Sequence, residues 1–259
     1  MMNWQAPRIR ISMLSVWRRN LQVWKKLIIP SALFNFGEPF IYLLGLGLGL
    51  GSFIGEMEGV SYLSFLASGL LASSAMNTAT YEGLFSVYTR MVPQQTYEAM
   101  LATSLEVDDI VGGEMLWCAT KGIFSSSAIL VVAVLIGALD NWQVIYCVPL
   151  FFLIGLCFAG PAIVVSSISP SYDYFNYYVT LVLTPMFIFC GVFYPVRTLP
   201  DFIQPIIQLL PLSHAIALVR PLASGQAVDN PFLHITVLAA FAGIGYYLAV
   251  VLVRRRLIK

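Results

Sequence analysis

The sequence predicts an all-α integral membrane protein with six transmembrane helices. Hydrophobic residues make up 59% of the 259 residues and charged residues only 10%, whereas a soluble domain would carry about 25% charged residues. The charged residues also cluster, so that several apolar runs approach the ~20 residues that a membrane-crossing helix needs. Because these runs are continuous rather than alternating, they favour helices over strands. We therefore treat residues 1–259 as one transmembrane domain.

A basic amphipathic helix is predicted at residues 8–27, ahead of the first apolar run. Apolar side chains recur there at spacings of three and four, which forms one stripe on a helix. The stripe consists of Leu14, Trp17, Leu21, Trp24 and Ile28. Arg18 and Arg19 lie with other polar residues on the opposite side. The pattern is typical of a helix in the membrane interface, with indoles at headgroup level. The alternative is an unstructured basic flank.

Six apolar runs are long enough to be spans. They cover residues 31–53, 61–85, 112–138, 144–168, 174–193 and 231–253. In the first span, glycines at 45, 47, 49 and 51 would allow close helix packing, which we favour, or would mark a loosened helix end. Residues 194–222 are apolar but contain five prolines, which exclude one continuous helix. We predict a re-entrant or surface-lying helical hairpin there, since irregular backbone at membrane depth needs cover from protein or water.

The Lys and Arg residues between the spans are strongly biased to one side of this arrangement. The N-terminal segment, residues 86–111 and the C-terminal cluster carry nearly all of them, and the opposite side has only Arg197 and Arg220. By the positive-inside rule, both termini and residues 86–111 are cytoplasmic. The proline-rich hairpin at 194–222 is then outside.

Residues 86–111 form the longest polar interval of the chain. A connection between two membrane helices could be much shorter. The interval also contains a short helix-like segment, which includes Tyr97, Glu98, Met100 and Leu101. We expect this segment to contact something outside the bilayer.

Four ionisable residues fall within the predicted spans. They are Glu38, Glu82, Glu114 and Lys121. Each would cost about 2.5–3.5 kcal/mol at the bilayer centre, so each should face protein or water and have a partner. We predict that Glu82 or Glu114 neutralises Lys121. A structural ion pair is favoured over a proton relay.

Aromatic side chains concentrate near both ends of the fifth span. Tyr174, Phe175 and Tyr178 lie at its start, and Tyr42 lies in the first span. One interpretation is an interfacial aromatic belt. The other is a path along which sugar rings of a passing glycolipid stack on these rings.

Several function classes lack support in the sequence. No phosphate-binding loop or HExxH motif occurs, so we expect no enzyme and no metal site on this chain. The four cysteines lie in apolar runs without ligand-like spacing. The net charge of +1 gives no basic face for nucleic acid. If transport uses ATP, the ATPase is another chain.

The order of these elements resembles the ABC type-2 exporter permeases, and short strings narrow the resemblance to the nodulation-type lipooligosaccharide export permeases. The strings are VWRRN at 16–20, GVSYLSFLASG at 59–69, GEMLWCATKG at 113–122, SPSYDYF at 169–175, LVLTPMF at 181–187, LLPLSHAIALVRP at 209–221 and RRRL at 254–257. They extend over nearly the whole chain. The resemblance implies a multi-pass permease of the bacterial cytoplasmic (inner) membrane that exports a lipooligosaccharide or similar amphipathic glycolipid.

The resemblance also implies partners. The chain would form a homodimer in membrane lipid and pair with two copies of an ABC ATPase subunit, which binds ATP and Mg²⁺, while this chain binds no cofactor. Tyr97, Glu98, Met100 and Leu101 would match the coupling helix that docks on the ATPase. The first, second and fifth spans would line the dimer interface and the substrate route, and the outer hairpin would shape the exit.

Other functions remain open at this point. The cargo could instead be a drug or a polysaccharide carried by a permease of the same family. An ion-coupled secondary transporter would predict inverted repeats with broken helices in corresponding halves, and no such symmetry is evident. A membrane enzyme acting on lipid-linked sugars would need convergent acidic or histidine residues, and only the inner Glu and Lys set is available.

Overall fold

The fold is known from a computed structural model, which describes residues 7–26, 28 and 40–258. Its first half contains helix α1 (Met13–Lys25), helix α2 (Phe40–Ile54), helix α3 (residues 62–91), the short helix α4 (Thr96–Leu101) and helix α5 (Val107–Leu135). Two of these helices contain a π-helical turn, at Leu43–Leu48 in α2 and at Glu82–Ser86 in α3. Strands β1 (Glu56–Met57) and β2 (Val60–Ser61) lie between α2 and α3.

The second half is also helical. It contains helix α6 (Cys147–Ile168, preceded by a 3-10 turn at Trp142–Tyr146), helix α7 (residues 173–189), helix α8 (Gln204–Gln208), helix α9 (Pro211–Ser224) and helix α10 (Pro231–Leu257). In the described residues, three helices are long and apolar enough to cross a membrane: Val107–Leu135, Trp142–Ile168 and Pro231–Leu257. The helical class of the membrane protein is therefore supported, and the count of six spans stays a prediction.

The all-α prediction needs one small correction at residues 55–61. This connection between the first two predicted spans is an antiparallel hairpin, in which Glu56 pairs with Ser61 and Met57 with Val60. Its two turn residues, Glu58 and Gly59, have φ values of 54° and 79°. Positive φ at both central positions matches the twist of a two-residue hairpin turn.

Only part of the polar interval at 86–111 is a connection, because the helices on both sides extend into it. Helix α3 continues to Met91, and helix α5 begins at Val107. A capping box explains where α5 begins. The Asp109 side chain accepts a hydrogen bond from the backbone N–H of Glu106 at 3.0 Å, and the Glu106 side chain accepts one from the backbone N–H of Asp109. The connection outside the long helices is therefore residues 92–106.

Other predicted boundaries also shift where glycine ends a helix. Helix α5 ends at Leu135 rather than 138, ahead of Gly137 at φ 69°. Helix α7 ends at Phe189 rather than 193, ahead of Gly191 at φ 93°. Backbone with positive φ cannot continue a right-handed helix, and glycine adopts it without a steric penalty.

Glycine also allows helices to approach one another closely. A Cβ added at Gly160 of α6 would lie 2.7 Å from the Cα of Gly245 in α10. In the glycine run of the first span, Gly47 packs tightly against Leu63. Among the residues that the structure describes, none lies within 4 Å of a Cβ added at Gly45 or Gly49.

Residues near the two ends of the described chain meet the start of α5 at one end of the bundle. The backbone N–H of Arg8 donates to Asp108 at 2.9 Å, and Arg254 near the C-terminus pairs with the same carboxylate. Arg256 donates to three carbonyls at the C-terminus of α6, at 2.8–3.0 Å. This grouping matches the arrangement expected from the charge bias. The side of the membrane on which this end lies stays a prediction.

The proline-rich segment lies at the other end. It contains a 3-10 turn at Val196–Thr198, then α8 and α9. Arg220 of α9 is covered by the bundle: its Nε donates to Ser68 Oγ at 3.1 Å, and its terminal nitrogen donates to the Gly191 carbonyl at 2.6 Å. The hairpin therefore packs on α3. Whether it re-enters the membrane stays a prediction.

Candidate functional site

A buried charge network lies where α3 and α5 meet, near the end that holds the termini. Its centre is Glu82, in the π-helical turn of α3 and only 6% exposed. Lys121 Nζ lies 2.8 Å from Glu82 Oε2, and Trp117 Nε1 donates to Glu82 Oε1 at 3.0 Å. The prediction that a carboxylate neutralises Lys121 is confirmed. Glu82 is the partner, and Glu114 is not.

Arg90 connects the two carboxylates of the network. Its Nε and one terminal nitrogen contact Glu114 at 2.9 and 2.6 Å, which is the bidentate geometry of a strong charge-assisted pair. The terminal nitrogens also reach Glu82 Oε1 at 3.3 Å. Two carboxylates thus face two cations, so the buried cluster carries no net charge. This balance offsets part of the cost of burying each ion.

Sequence reasoning missed this role of Arg90 because it assigned the residue to a cytoplasmic connection. The spacing of Glu82 and Arg90 in the sequence could have indicated this contact. Glu82 and Arg90 are eight residues apart, which is close to two helical turns, so they share a face if the helix continues. The structure shows that it does.

Helix α1 docks onto this network through α5. Asn20, which is 3% exposed, donates to Glu114 Oε2 at 2.9 Å. Trp17 Nε1 donates to Thr120 Oγ1 at 2.9 Å. Val16 packs where Gly113 leaves room, since a Cβ there would lie 2.6 Å from it. Asn20 was not singled out from the sequence, since a lone amide on a helix carries no recognisable pattern.

Some side chains of the apolar stripe of α1 pack against the bundle, and others are exposed. Trp24 packs against Trp117 at 5.9 Å and Phe124 at 5.0 Å between ring centroids, whereas Leu14 is 51% exposed. Both tryptophans therefore have protein partners and remain partly exposed, and the position of α1 in the membrane interface stays a prediction. Thr120 offers the hydrogen bond and Trp117 the ring contact. Arg18 is exposed, as expected.

Arg19 lies at the edge of the network. Its guanidinium donates to Asn20 Oδ1 at 3.0 Å. Burial, together with the nearby positive charge of Arg90, lowers its pKa below the ordinary value. Arg19 is therefore partly buried beside the network, whereas Arg18 is exposed.

The short helix α4 lies in the connection at residues 92–106 and covers the network. Tyr97 and Met100 are 1% and 8% exposed and face the bundle, whereas Glu98 is exposed and Leu101 is partly exposed. Burial, and then the negative charge of Glu114, raise the pKa of the Tyr97 phenol. Of the four predicted coupling residues, two thus anchor α4 and two remain accessible. Their role toward an ATPase stays a prediction.

The predicted substrate-path residues do not share one surface. Tyr174 is 51% exposed, and with Tyr178 it lines a groove of about 430 Å³. Tyr42 packs on Phe187 and Phe193. Phe175 is fully buried, so its assignment as a path-lining residue is wrong. Its ring is held edge-on between Phe85 and Tyr88, with centroids 5.1 and 5.3 Å away.

The other predicted or chemically reactive side chains lie apart from the network. Glu38 lies outside the described residues. Among the residues described, no group of three or more His, Cys, Asp or Glu side chains is arranged to hold a metal ion. The four cysteines are buried and not in disulfides. The Nδ1 atoms of His214 and His234 lie 2.7 Å apart, at the end away from the network.

Comparison with known proteins gives a consistent result. Residues 12–222 match the family model described as "ABC-2 type transporter". The chain is 45% identical to Nodulation protein J of Rhizobium leguminosarum bv. viciae, over 98% of each chain. It is 42% identical to Nodulation protein J of Rhizobium meliloti strain 1021, over 94% of this chain and 93% of the relative. Inner membrane transport permease YadH of Escherichia coli K12 is 23% identical over 80% of each chain.

Proposed function

The chain belongs to the ABC-2 type transporter family, and from this premise we propose that it exports an amphipathic glycolipid, using ATP that a separate subunit hydrolyses. The chain is a membrane permease, and its role is that of a transport subunit rather than an enzyme. The cargo is proposed to be a lipooligosaccharide, because the relatives that align over nearly their full length are named for nodulation.

The observation that carries the coupling proposal is the position of α4. Its buried side chains, Tyr97 and Met100, anchor it against the charge network, while Glu98 points away from the bundle. A partner that pushes on α4 would therefore move Tyr97 relative to Glu114. Because Glu114 contacts Arg90 and Asn20, this displacement would reach α3 and α1 together.

The assembly that we propose has two permease chains and two ATPase subunits. ATP and Mg²⁺ bind to the ATPase subunits, and this chain binds no cofactor. The location that we propose for the assembly is a bacterial cytoplasmic membrane, which the name of the Escherichia coli relative, an inner membrane transport permease, supports. With six spans, both termini and residues 92–106 would face the cytoplasm, where the ATPase is.

Reconstitution tests this proposal. The permease is co-expressed with its ATPase, purified and placed in lipid vesicles, and ATP hydrolysis is measured with an N-acylated chitotetraose, with the free tetrasaccharide and with an acyl phosphocholine. We expect the acylated saccharide to stimulate hydrolysis most. Transport by the permease alone that is insensitive to vanadate would contradict the role of a partner ATPase. Stimulation by an unrelated apolar drug and not by the acylated saccharide would favour a drug exporter of the same family.

A further inference from the structure

Two histidines from different helices share a hydrogen bond at the end of the bundle away from the charge network. The Nδ1 atoms of His214 in α9 and His234 in α10 lie 2.7 Å apart, and their ring centroids are 5.0 Å apart. A neutral imidazole has one N–H donor and one acceptor nitrogen, whereas a protonated imidazole has two donors and no acceptor. At this distance, one Nδ1 must therefore carry a proton and the other must not.

The contact limits the number of protons that the two rings can hold. With both rings neutral, one ring donates to the other. With one ring protonated, the same bond becomes charge-assisted and stronger. With both rings protonated, two N–H groups would face each other and two positive charges would repel. Because an imidazole in water takes up its proton near pH 6.5, mildly acidic solution favours this third state and opposes the contact.

The histidine pair lies at the edge of the contact between α9 and α10. At the start of α10, Phe232, Leu233 and Ile235 are 86%, 56% and 41% exposed. The first fully buried residue of α10 is Leu238, one turn beyond His234. Loss of the hydrogen bond can therefore separate the beginnings of the two helices while Leu238 stays packed.

We propose that His214 and His234 form a proton-controlled latch, which holds α9 against α10 and opens when both rings are protonated. The inference does not depend on the cargo. Farther along α9, Arg220 stays bonded to Ser68 and to the Gly191 carbonyl, since a guanidinium keeps its charge in this pH range. Opening would move the start of α9 away from α10 while α9 remains attached to α3. The charge bias predicts that this end faces outward, so the latch would respond to the external pH.

One carboxylate is placed to influence the latch. Asp229, just before α10, acts on the His234 ring through its negative charge and its backbone carbonyl. This charge stabilises a protonated ring and therefore favours opening. Other charged side chains on the elements at this end contact different groups or solvent: Arg220 bonds Ser68 and Gly191, Glu58 pairs with Arg197, Asp201 accepts from Gln204, and Asp140 is exposed.

The test measures the distance between α9 and α10 by pulsed electron spin resonance. Spin labels are attached to Leu209→Cys and Phe232→Cys, at positions 74% and 86% exposed, whereas the native cysteines are buried. Labelled full-length permease is diluted with unlabelled permease in lipid nanodiscs, so that distances are measured within one chain. All samples contain a chelator, because two imidazoles could otherwise share a metal ion.

Three variants accompany the wild type. In His234→Asn, the side-chain amide can donate or accept at the position of Nδ1 but does not titrate. Asp229→Asn removes the carboxylate beside the pair. Glu58→Gln is the control, since it removes a carboxylate from the same end that pairs with Arg197 instead.

We expect the wild type to gain a second, longer distance between about pH 7.5 and about pH 5. The ratio of open to closed chains should rise by about tenfold per pH unit, because opening takes up one proton more than the closed pair holds. His234→Asn should keep the short distance throughout. Asp229→Asn should open at a lower pH than the wild type, and Glu58→Gln should open at the same pH.

A wild-type distance that does not change with pH would refute the latch, and so would a His234→Asn variant that still opens in acid. If size-exclusion chromatography shows that His234→Asn does not fold, His214→Asn makes the same test from the other helix. A wild-type response that is lost in Glu58→Gln would assign the pH dependence to the pair with Arg197 and contradict the proposal. None of these outcomes bears on the cargo or on the ATPase.

Discussion

Lys121 and Glu82 form an ion pair between helices α5 and α3, with Nζ 2.8 Å from Oε2. The side chains are 14% and 6% exposed. Glu82 simultaneously accepts hydrogen bonds from Trp117 and Arg90. One carboxylate therefore ties two helices together at the point where α4 and α1 contact the bundle. The predictions below follow from this network and from the surfaces around it.

Glu82→Gln should destabilise the permease more than Lys121→Met does. The first change removes the carboxylate that neutralises Lys121 and one of the two carboxylates that Arg90 contacts. The second change leaves Glu82 paired with Arg90. Breaking a buried pair costs about 3–5 kcal/mol. Thermal unfolding in detergent measures the difference, and Glu82→Gln combined with Lys121→Met should recover part of the loss.

The control for this prediction is Glu58→Gln. Glu58 pairs with Arg197 near the other end, where the Arg197 side chain is 70% exposed. Exposed pairs contribute about 0–1 kcal/mol, so the melting temperature should hardly change. Equal melting temperatures for Glu82→Gln and Glu58→Gln would show that the network has no role in stability.

Glu98→Arg should release or uncouple the ATPase without unfolding the permease. The side chain is exposed on α4 and makes no contact that anchors the helix in the described part of the chain. Co-purification and ATP hydrolysis measure the loss, and the melting temperature should equal that of the wild type. Asp201→Arg, an exposed charge reversal near the opposite end, should retain the ATPase.

Met100→Asp should give a different outcome from Glu98→Arg, although both residues are in α4. Met100 is 8% exposed, so a carboxylate there would be buried without a partner. We expect a lower melting temperature together with loss of the ATPase. A Met100→Asp variant with wild-type stability would show that α4 detaches easily from the bundle.

Asn20→Ala should weaken the attachment of α1. It removes a buried donor to Glu114 at 2.9 Å, and loss of a hydrogen bond to a charged group costs about 1.5–3 kcal/mol. Labelling of a cysteine introduced at Val16, which is 1% exposed, should become faster in that background. Gln22→Ala, on the exposed side of the same helix, is the matched control and should leave labelling unchanged.

Gly245→Ala should destabilise the contact between α10 and α6. A Cβ at Gly245 would lie 2.9 Å from the Cα of Gly160, which is closer than real Cβ contacts allow. Gly243→Ala on the same helix meets nothing within 4 Å. The second change should be neutral or stabilise by up to about 1 kcal/mol, because alanine favours helix. Comparison of the two melting temperatures measures the effect, and equal values would refute the close contact.

Part of the site could be predicted because a membrane restricts what charges can do. Lys121 within an apolar run requires a nearby carboxylate, and the candidates were Glu82 on a neighbouring helix and Glu114 on the same helix. Arg90 was assigned to a connection because polar sequence is typical of loops. In the structure, Glu114 neutralises its charge inside the bundle. Asn20 gave no signal, since its importance comes only from the residue that it meets.

The sequence alone determined the class of this protein: its composition and long apolar runs require a helical membrane protein, because a bilayer accepts backbone only when its hydrogen bonds are satisfied internally. The tertiary structure decided which carboxylate pairs with Lys121, which face of α4 is accessible, and that Phe175 is a buried support rather than a path-lining ring. These outcomes depend on how each helix is rotated against its neighbours. Contacts such as Gly160 with Gly245 and Gly113 with Val16 set that rotation, and such contacts join residues that are far apart in the chain.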